Sequence, residues 1–497
     1  MSYSDTPEQA AVIGWAGYRL VVSAFAGTGK TSTLVRYALA NPDSRMLYLA
    51  YNRAVRDEAE QKFPFNVECR TSHQLAWPGF GRHYQRRLAG NLRITDAARQ
   101  LNTRYWPLAR MAVATLSAFL SSADTEISLQ HLPAEDERSG LSAEKILTAA
   151  QQLWRESARQ DGTLPVTHDV YLKLYQLSLP DLSERWQTLL FDEAQDANPV
   201  TQALVLTQSC NVVLVGDRHQ QIYRFRGAEN ALDAPLLADA DRLFLTHSFR
   251  FGPAVARVAN LLLARQGEAH QVVGNGGEDC VVESLPEEAE QGHRAILSRT
   301  VAGVIGAALQ ASLDGKKVFW VGGIDGYKTG ELEDLFWFSA DMPERMQSPQ
   351  LGRDYRDFDE YIAVARATRD AEMNQALRLL DQYFPLPQKL QVMREHAVTD
   401  ECQAQVTVST AHRSKGLEWP VVMLDDDFAD ITDPLMTAAE RTDETNLLYV
   451  AVTRARRMLV INELLQILLS ADGGDESTAG TANNDSTDEP QFGDTSC

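Results

Sequence analysis

Two short stretches of the chain hold the residue types that phosphoryl chemistry needs, at workable spacing. In AFAGTGKTSTL, Gly27 and Gly29 precede Lys30 and Thr31. Glycines let successive backbone amides close around an oligophosphate, and a helix N-terminus behind them adds partial positive charge. Lys30 is placed to reach the β- and γ-phosphates, and Thr31 offers its hydroxyl to Mg²⁺. The residues expected to cradle a nucleotide are Ala26, Gly27, Thr28, Gly29, Lys30, Thr31 and Ser32. The usual pattern opens with glycine, and the small Ala24 holds that position instead. Downstream, LLFDEAQD ends an apolar run with Asp192 and Glu193, where ligands sit in open α/β sheets. Asp192 would hold Mg²⁺ through water, and Glu193 would orient and deprotonate an attacking water. DEAQD alone also suits an acidic helix cap; paired with GTGKT it points to a nucleotide hydrolase.

The elements that must position these residues alternate. RLVVSA (Arg19 to Ala24) and MLYLAY (Met46 to Tyr51) are apolar strand patterns, separated by a helix over Lys30 to Leu39. A helix to Phe63 and a short strand at NVECR continue a rhythm that predicts a parallel sheet covered on both faces. The rhythm gives way to helical periodicity, then resumes at TLLFDEAQD, VVLVGD and RLFLTH. A second α/β unit includes AILSRT, KVFWVGG, QVTVST and VVML, again interrupted by a helical and loop-like stretch. Two interrupted sheets are expected: a first lobe over 1–77 and 186–247 with a helical insertion at 78–185, and a second over 248–326 and 402–468 with a short insertion at 327–401. Residues 469–497, rich in Gly, Ser, Thr, Asn and Asp, are expected to be an acidic disordered tail.

At 497 residues the chain should hold more than one core. No run of 18 apolar residues is present, and the start lacks a secretory layout. The five cysteines (Cys69, Cys210, Cys280, Cys402, Cys497) are scattered without a C-x-x-C pair, which predicts a reducing, cytoplasmic setting and no zinc or iron–sulfur site. The net charge of −21 offers no general attraction to phosphates, although seven of the acidic residues lie in the span Ala471 to Cys497.

Nine motifs in order make the resemblance specific: TPEQ, AFAGTGKT, AYNRA, TSHQLA, DEAQD, VGDRHQQIYRFRGA, LTHSFR, VTVSTAHRSKGLEW and NLLYVAVTRAR. The chain resembles superfamily 1 helicases of the UvrD/Rep/PcrA type, and within them the compact F-box-helicase-like branch. That resemblance implies an α/β protein of two RecA-like P-loop NTPase lobes with parallel sheets, using ATP and Mg²⁺. It implies that Gln9 reads the adenine edge, that Phe249 stacks on adenine where relatives carry tyrosine, and that Glu418 holds the ribose hydroxyl. Gln220 would touch the γ-phosphate, and Arg250 and Arg454 would reach from the second lobe as arginine fingers. Tyr223 and Phe225 would stack bases, Phe225 in place of tryptophan, at roughly 1–3 kcal/mol per base. Tyr51, Asn52, His73 and His412 match positions that contact the strand; a core or cap role is the alternative for the histidines, tyrosines and Asn52.

The resemblance implies a 3′→5′ helicase acting on single-stranded and 3′-tailed duplex DNA in repair or recombination. The second insertion is short for this family. This leaves a partner-dependent ATPase, one subunit of a larger assembly, as the other reading. The acidic tail and the insertions are the places where a protein partner would bind, a solvated tail being the alternative.

Overall fold

The computed structural model describes residues 5–224, 227–368 and 370–476. The first sheet contains β1 (Arg19–Ala24), β2 (Met46–Ala50), β3 (Val67–Thr71), β4 (Thr188–Phe191), β5 (Asn211–Gly216) and β6 (Asp241–Leu245). Their order is β3-β2-β4-β5-β1-β6, and every pairing is parallel. The unbroken apolar runs in these strands follow from burial on both faces. Val21, Leu49, Leu189 and Leu214 enter one core, while their neighbours Leu20, Tyr48, Leu190 and Val213 enter the other. A short parallel pair, β7 (His247–Ser248) and β8 (Val273–Gly274), lies beyond it.

The second sheet holds β9 (Cys280–Val282), β10 (Arg294–Ser298), β11 (Val318–Trp320), β12 (Ala397–Val398), β13 (Val406–Thr410), β14 (Trp419–Leu424) and β15 (Ala455–Val460). Its order is β12-β11-β13-β10-β14-β15-β9, again parallel throughout. These are two RecA-like α/β lobes. Two residues expected in the second insertion, Ala397 and Val398, add an edge strand to this sheet.

Helices fill both interruptions. In the first, Trp106–Ser121, Ala143–Ala158 and His168–Leu177 build a core around Leu116, Phe119, Leu153 and Tyr171 that is shared with Val200 and Leu204 of the first lobe. Trp77 and Trp106 pack against that core. In the second, Leu332, Leu386, Leu390 and Met393 pack with Val304, Ile305 and Trp320 of the second lobe. Arg93 Nη1 of the first insertion donates to Asp354 Oδ2 of the second at 2.8 Å.

Where disorder was expected from residue 469, the helix Glu463–Glu476 continues instead. Leu465 and Leu468 are buried in the second lobe's core and anchor it. The rest of the tail, 477–497, and Phe225 lie outside the described residues. Among the described residues, no helix is long and apolar enough to cross a membrane.

Candidate active site

The loop after β1 is built by glycine at the positions where only glycine is at ease. Gly27 and Gly29 have φ of +75° and +80°, and a Cβ on Gly27 would lie 2.4 Å from Ser248 Oγ and 2.7 Å from Arg250 Cβ. Second-half residues therefore press on the phosphate loop. Phe249 N–H also donates to Gly27 O at 2.9 Å. The helix Lys30–Ala40 starts without a side-chain cap, so its first amides await another acceptor.

Asp192 and Glu193 follow β4 on the adjoining side. Thr31 Oγ1 donates to Asp192 Oδ2 at 2.9 Å, and the Tyr48 phenol donates to the same oxygen at 2.7 Å. Lys30 Nζ lies 3.2 Å from Glu193 Oε1. Glu193 takes a left-handed backbone, φ +52°, uncommon for a side chain of its size. Gln195 Nε2 donates to Glu193 Oε2 at 2.5 Å, while its carbonyl oxygen accepts Asp217 N–H at 3.1 Å.

The second lobe closes the site with cations. Lys415 Nζ lies 3.2 Å from Glu193 Oε2, pairs with Asp196 Oδ2 and donates to Gln220 O at 2.8 Å. Arg454 is buried, donates to Val450 O at 2.9 Å and Leu417 O at 3.2 Å, and reaches Gln220 Oε1 at 3.4 Å. It forms no ion pair among the described residues: its bonds go to carbonyl oxygens, the Gln220 amide oxygen and the Thr453 hydroxyl. Arg250 donates through Nε to Glu418 Oε2 at 2.7 Å and through Nη1 to Thr453 O at 3.1 Å. Glu418 Oε1 is also 3.6 Å from Arg456 Nε.

These surroundings divide the titrating groups. Burial pushes the Glu193 carboxyl up, but Lys30 and Lys415 outweigh it and hold the group below the usual carboxylate range. Asp192 goes the other way: burial, then the neighbouring Glu193 charge, raises it against the pull of Lys30, Tyr48 and Thr31. Burial alone would lower Lys415, yet Asp196 and Glu193 raise it. Burial, then Arg250, lowers Arg454. The result is an ionised Glu193 and a buried Arg454 guanidinium with no carboxylate at ion-pair distance among the described residues. The hydroxyl and carboxylate oxygens of Thr31 and Asp192 form a hard-oxygen donor set, the kind that suits Mg²⁺.

The structure thus brings together Ala26 to Ser32, Asp192, Glu193, Gln220, Arg250, Arg454, Phe249 and Glu418. Gln9 adjoins the loop, but its amide is engaged by Thr6 N–H at 3.1 Å and Thr28 O at 3.4 Å. Of the residues matched to strand contacts, three cluster. The rings of Tyr51 and Tyr223 stack at 5.4 Å, and the Tyr223 phenol donates to His412 O at 3.1 Å. Asn52 is elsewhere engaged, capping the helix Arg53–Lys62 by accepting Val55 N–H at 2.9 Å. His73 packs edge-on against His168 and Tyr171 of the first insertion. Sequence reasoning missed Tyr48, Gln195, Asp217, Lys415 and Tyr449. Lys415 lies inside HRSKGLEW, where a lysine within a motif that carries the resemblance was the available signal.

Fold and site together define a two-lobed P-loop protein, with one phosphate loop facing the arginines of its second lobe. The chain matches the UvrD-like helicases in both of its lobes. Residues 51–233 match the UvrD/REP helicase N-terminal domain, and 405–461 match the UvrD-like helicase C-terminal domain. F-box DNA helicase 1 of Gallus gallus is 32% identical over 92% of this chain and 48% of that protein. F-box DNA helicase protein 1 of Schizosaccharomyces pombe is 31% identical over 92% of this chain and 57% of that one. DNA helicase IV of Escherichia coli is 23% identical over 51% of the chain and 46% of its own length. The chain spans about half the length of these relatives.

Proposed function

We propose that this chain is an ATP-dependent translocase on single-stranded DNA and a 3′→5′ DNA helicase. The observation that carries the reading is the buried Arg454 guanidinium beside Gln220, with no carboxylate at ion-pair distance among the described residues, on the far bank from Lys30. A buried cation is costly without an anion, and a γ-phosphate between the lobes would supply one. Closing the lobes on ATP would therefore be favourable, and losing the γ-phosphate would release them.

In this reading the amides of the loop from Ala26 to Ser32 hold the phosphates, and Lys30 leaves Glu193 for the β- and γ-oxygens. Glu193, already ionised, accepts the proton of the attacking water. Gln220 orients that water and reports the γ-phosphate toward Tyr223. Arg250 and Arg454 stabilise charge developing on the transferred phosphoryl group. Gln9 and Phe249 take the adenine and Glu418 the ribose, for which Gln9 must release Thr28 and Glu418 must share Arg250. Thr31 and Asp192 hold Mg²⁺, which neutralises phosphate charge when bound.

Strand contact falls to Tyr51, Tyr223, Phe225 and His412, with Asn52 and His73 at the margin. The stacked Tyr51–Tyr223 pair favours the aromatic residues, because a base can replace either ring against the other. The 3′→5′ polarity, the role in DNA repair or recombination and a cytoplasmic location rest on the resemblance. The test is an unwinding assay with 3′-tailed and 5′-tailed duplexes, alongside ATPase with and without single strands. Strong stimulation and release from the 3′-tailed duplex are expected. Hydrolysis equally fast without nucleic acid would sink the motor reading. Stimulated hydrolysis that unwinds only after a second protein is added would replace it with the partner-dependent ATPase.

A further inference from the structure

We propose that Tyr449 is a positioning residue through which the second lobe sets both the phosphate loop and Gln220. This rests on the reading of the chain as a strand-stimulated ATPase. Tyr449 lies in the helix Ala438–Val452 and is fully buried. Its phenol oxygen accepts Ala26 N–H at 3.2 Å and donates to Asp217 Oδ2 at 3.3 Å. The same Oδ2 accepts from Gln220 Nε2 at 2.7 Å, and Gln220 Oε1 faces Arg454 Nη2 at 3.4 Å. A hydrogen-bonded circuit therefore leaves the second lobe at Tyr449, touches the phosphate loop, crosses Asp217 and Gln220, and returns at Arg454.

Three features make the phenol a coupling group rather than a filler. Burial and the Asp217 carboxylate push its pKa well above the usual value, so the proton it donates stays in place. Its ring is held at the edge of His219, centroids 6.2 Å apart, and His219 in turn lies 6.2 Å from Phe25 of the loop. Both partners of the hydroxyl belong to the first lobe, and both are buried. Any shift of the helix carrying Tyr449 must alter the Ala26 amide and the Asp217–Gln220 bond together, because unmade buried bonds are expensive.

The test is Tyr449→Phe in the full chain, which keeps the ring and deletes the bridge. Steady-state ATPase on saturating oligo-dT, binding of a fluorescent ATP analogue and thermal melting are measured together. Tm should fall modestly, because the buried Ala26 N–H loses its acceptor, while kcat on oligo-dT falls at least about tenfold, well beyond any change in KM for ATP. The double variant Tyr449→Phe/Gln220→Ala should lose no more than about twofold beyond the worse single variant, since both act through Asp217. As a second probe, Asp217→Ala, which removes the acceptor shared by Tyr449 and Gln220, should lower kcat at least as far as Tyr449→Phe.

Unchanged kcat, losses that multiply in the double variant, or a loss of nucleotide affinity as large as the loss of kcat would overturn the assignment. A wild-type chain without strand-stimulated hydrolysis would instead overturn the ATPase reading on which it rests. The two failures are thus separate.

Discussion

The two lobes each carry a strand–loop–helix turn in the interior of a parallel sheet, and the two turns are finished in opposite ways. β1 lies between β5 and β6 and leads into Gly27, Gly29 and an uncapped helix. β10 lies between β13 and β14 and leads into Arg299, Thr300 and the helix Val301–Leu313. There the Asp427 carboxylate accepts Arg299 N–H at 2.6 Å, Thr300 N–H at 2.8 Å and the Thr300 hydroxyl at 2.7 Å. A Cβ on Gly303 would meet Asp427 Oδ2 at 2.3 Å. One lobe leaves its helix N-terminus without a side-chain cap; the other sets a carboxylate against the amides that precede its helix. On the proposed function, the same fold unit would give a nucleotide site in the first lobe, to which the second lobe would contribute arginines.

The largest effect expected from breaking this division is on turnover. Arg454→Ala should lower kcat by about 10³-fold, the usual scale for an arginine that stabilises a transferring phosphoryl group, with ATP binding measured beside it. A loss confined to ATP affinity would place Arg454 in binding alone. Glu193→Gln should cost about 10²- to 10⁴-fold in turnover and spare nucleotide and DNA binding, the mark of a lost general base. Equal loss of ATP binding would argue against that role.

Smaller effects should separate the two turns. Gly27→Ala places a side chain against Ser248 and Arg250 at positive φ, at a cost of about 1–3 kcal/mol. It should weaken ATP-analogue binding about tenfold or more. Asp427→Ala should leave nucleotide affinity alone and lower stability by about 1–3 kcal/mol, since buried donors lose their acceptor. If a denaturant titration shows no loss, the filled turn is not a structural device. The smallest effect concerns pH. The Asp192 carboxyl is raised by burial and by Glu193, and Mg²⁺ binding needs it ionised. Apparent Mg²⁺ affinity should fall on acidification while the pH is still above the ordinary aspartate range near 3.9. A flat profile over that window would show that Asp192 is not the titrating ligand.

Much of this was legible along the chain. The apolar strands at Arg19 to Ala24 and Thr188 to Phe191 are buried on both faces, so hydrophobicity placed the strands, and the GTGKT and DEAQD motifs at their ends marked the candidate site. The helix Glu463–Glu476 runs past the expected boundary at residue 469, and Leu469 packs against the second lobe's core, a contact that local composition does not reveal. Asn52 illustrates the reverse case: a short polar side chain before a helix satisfies the local rule for a cap, and it does cap.

By itself the sequence determined the covalent means: glycines that permit positive φ, a lysine and threonine behind them, and two carboxylates at a strand end. Those are short-range facts, written within a few residues of one another. Only the tertiary structure decided which distant groups would meet them. Lys415 reaches Asp196 across 219 residues, Arg454 reaches Gln220 across 234, and Tyr449 reaches Ala26 across 423. No periodicity encodes such pairings, because they arise only where the two sheets pack together and buried polar groups must find partners.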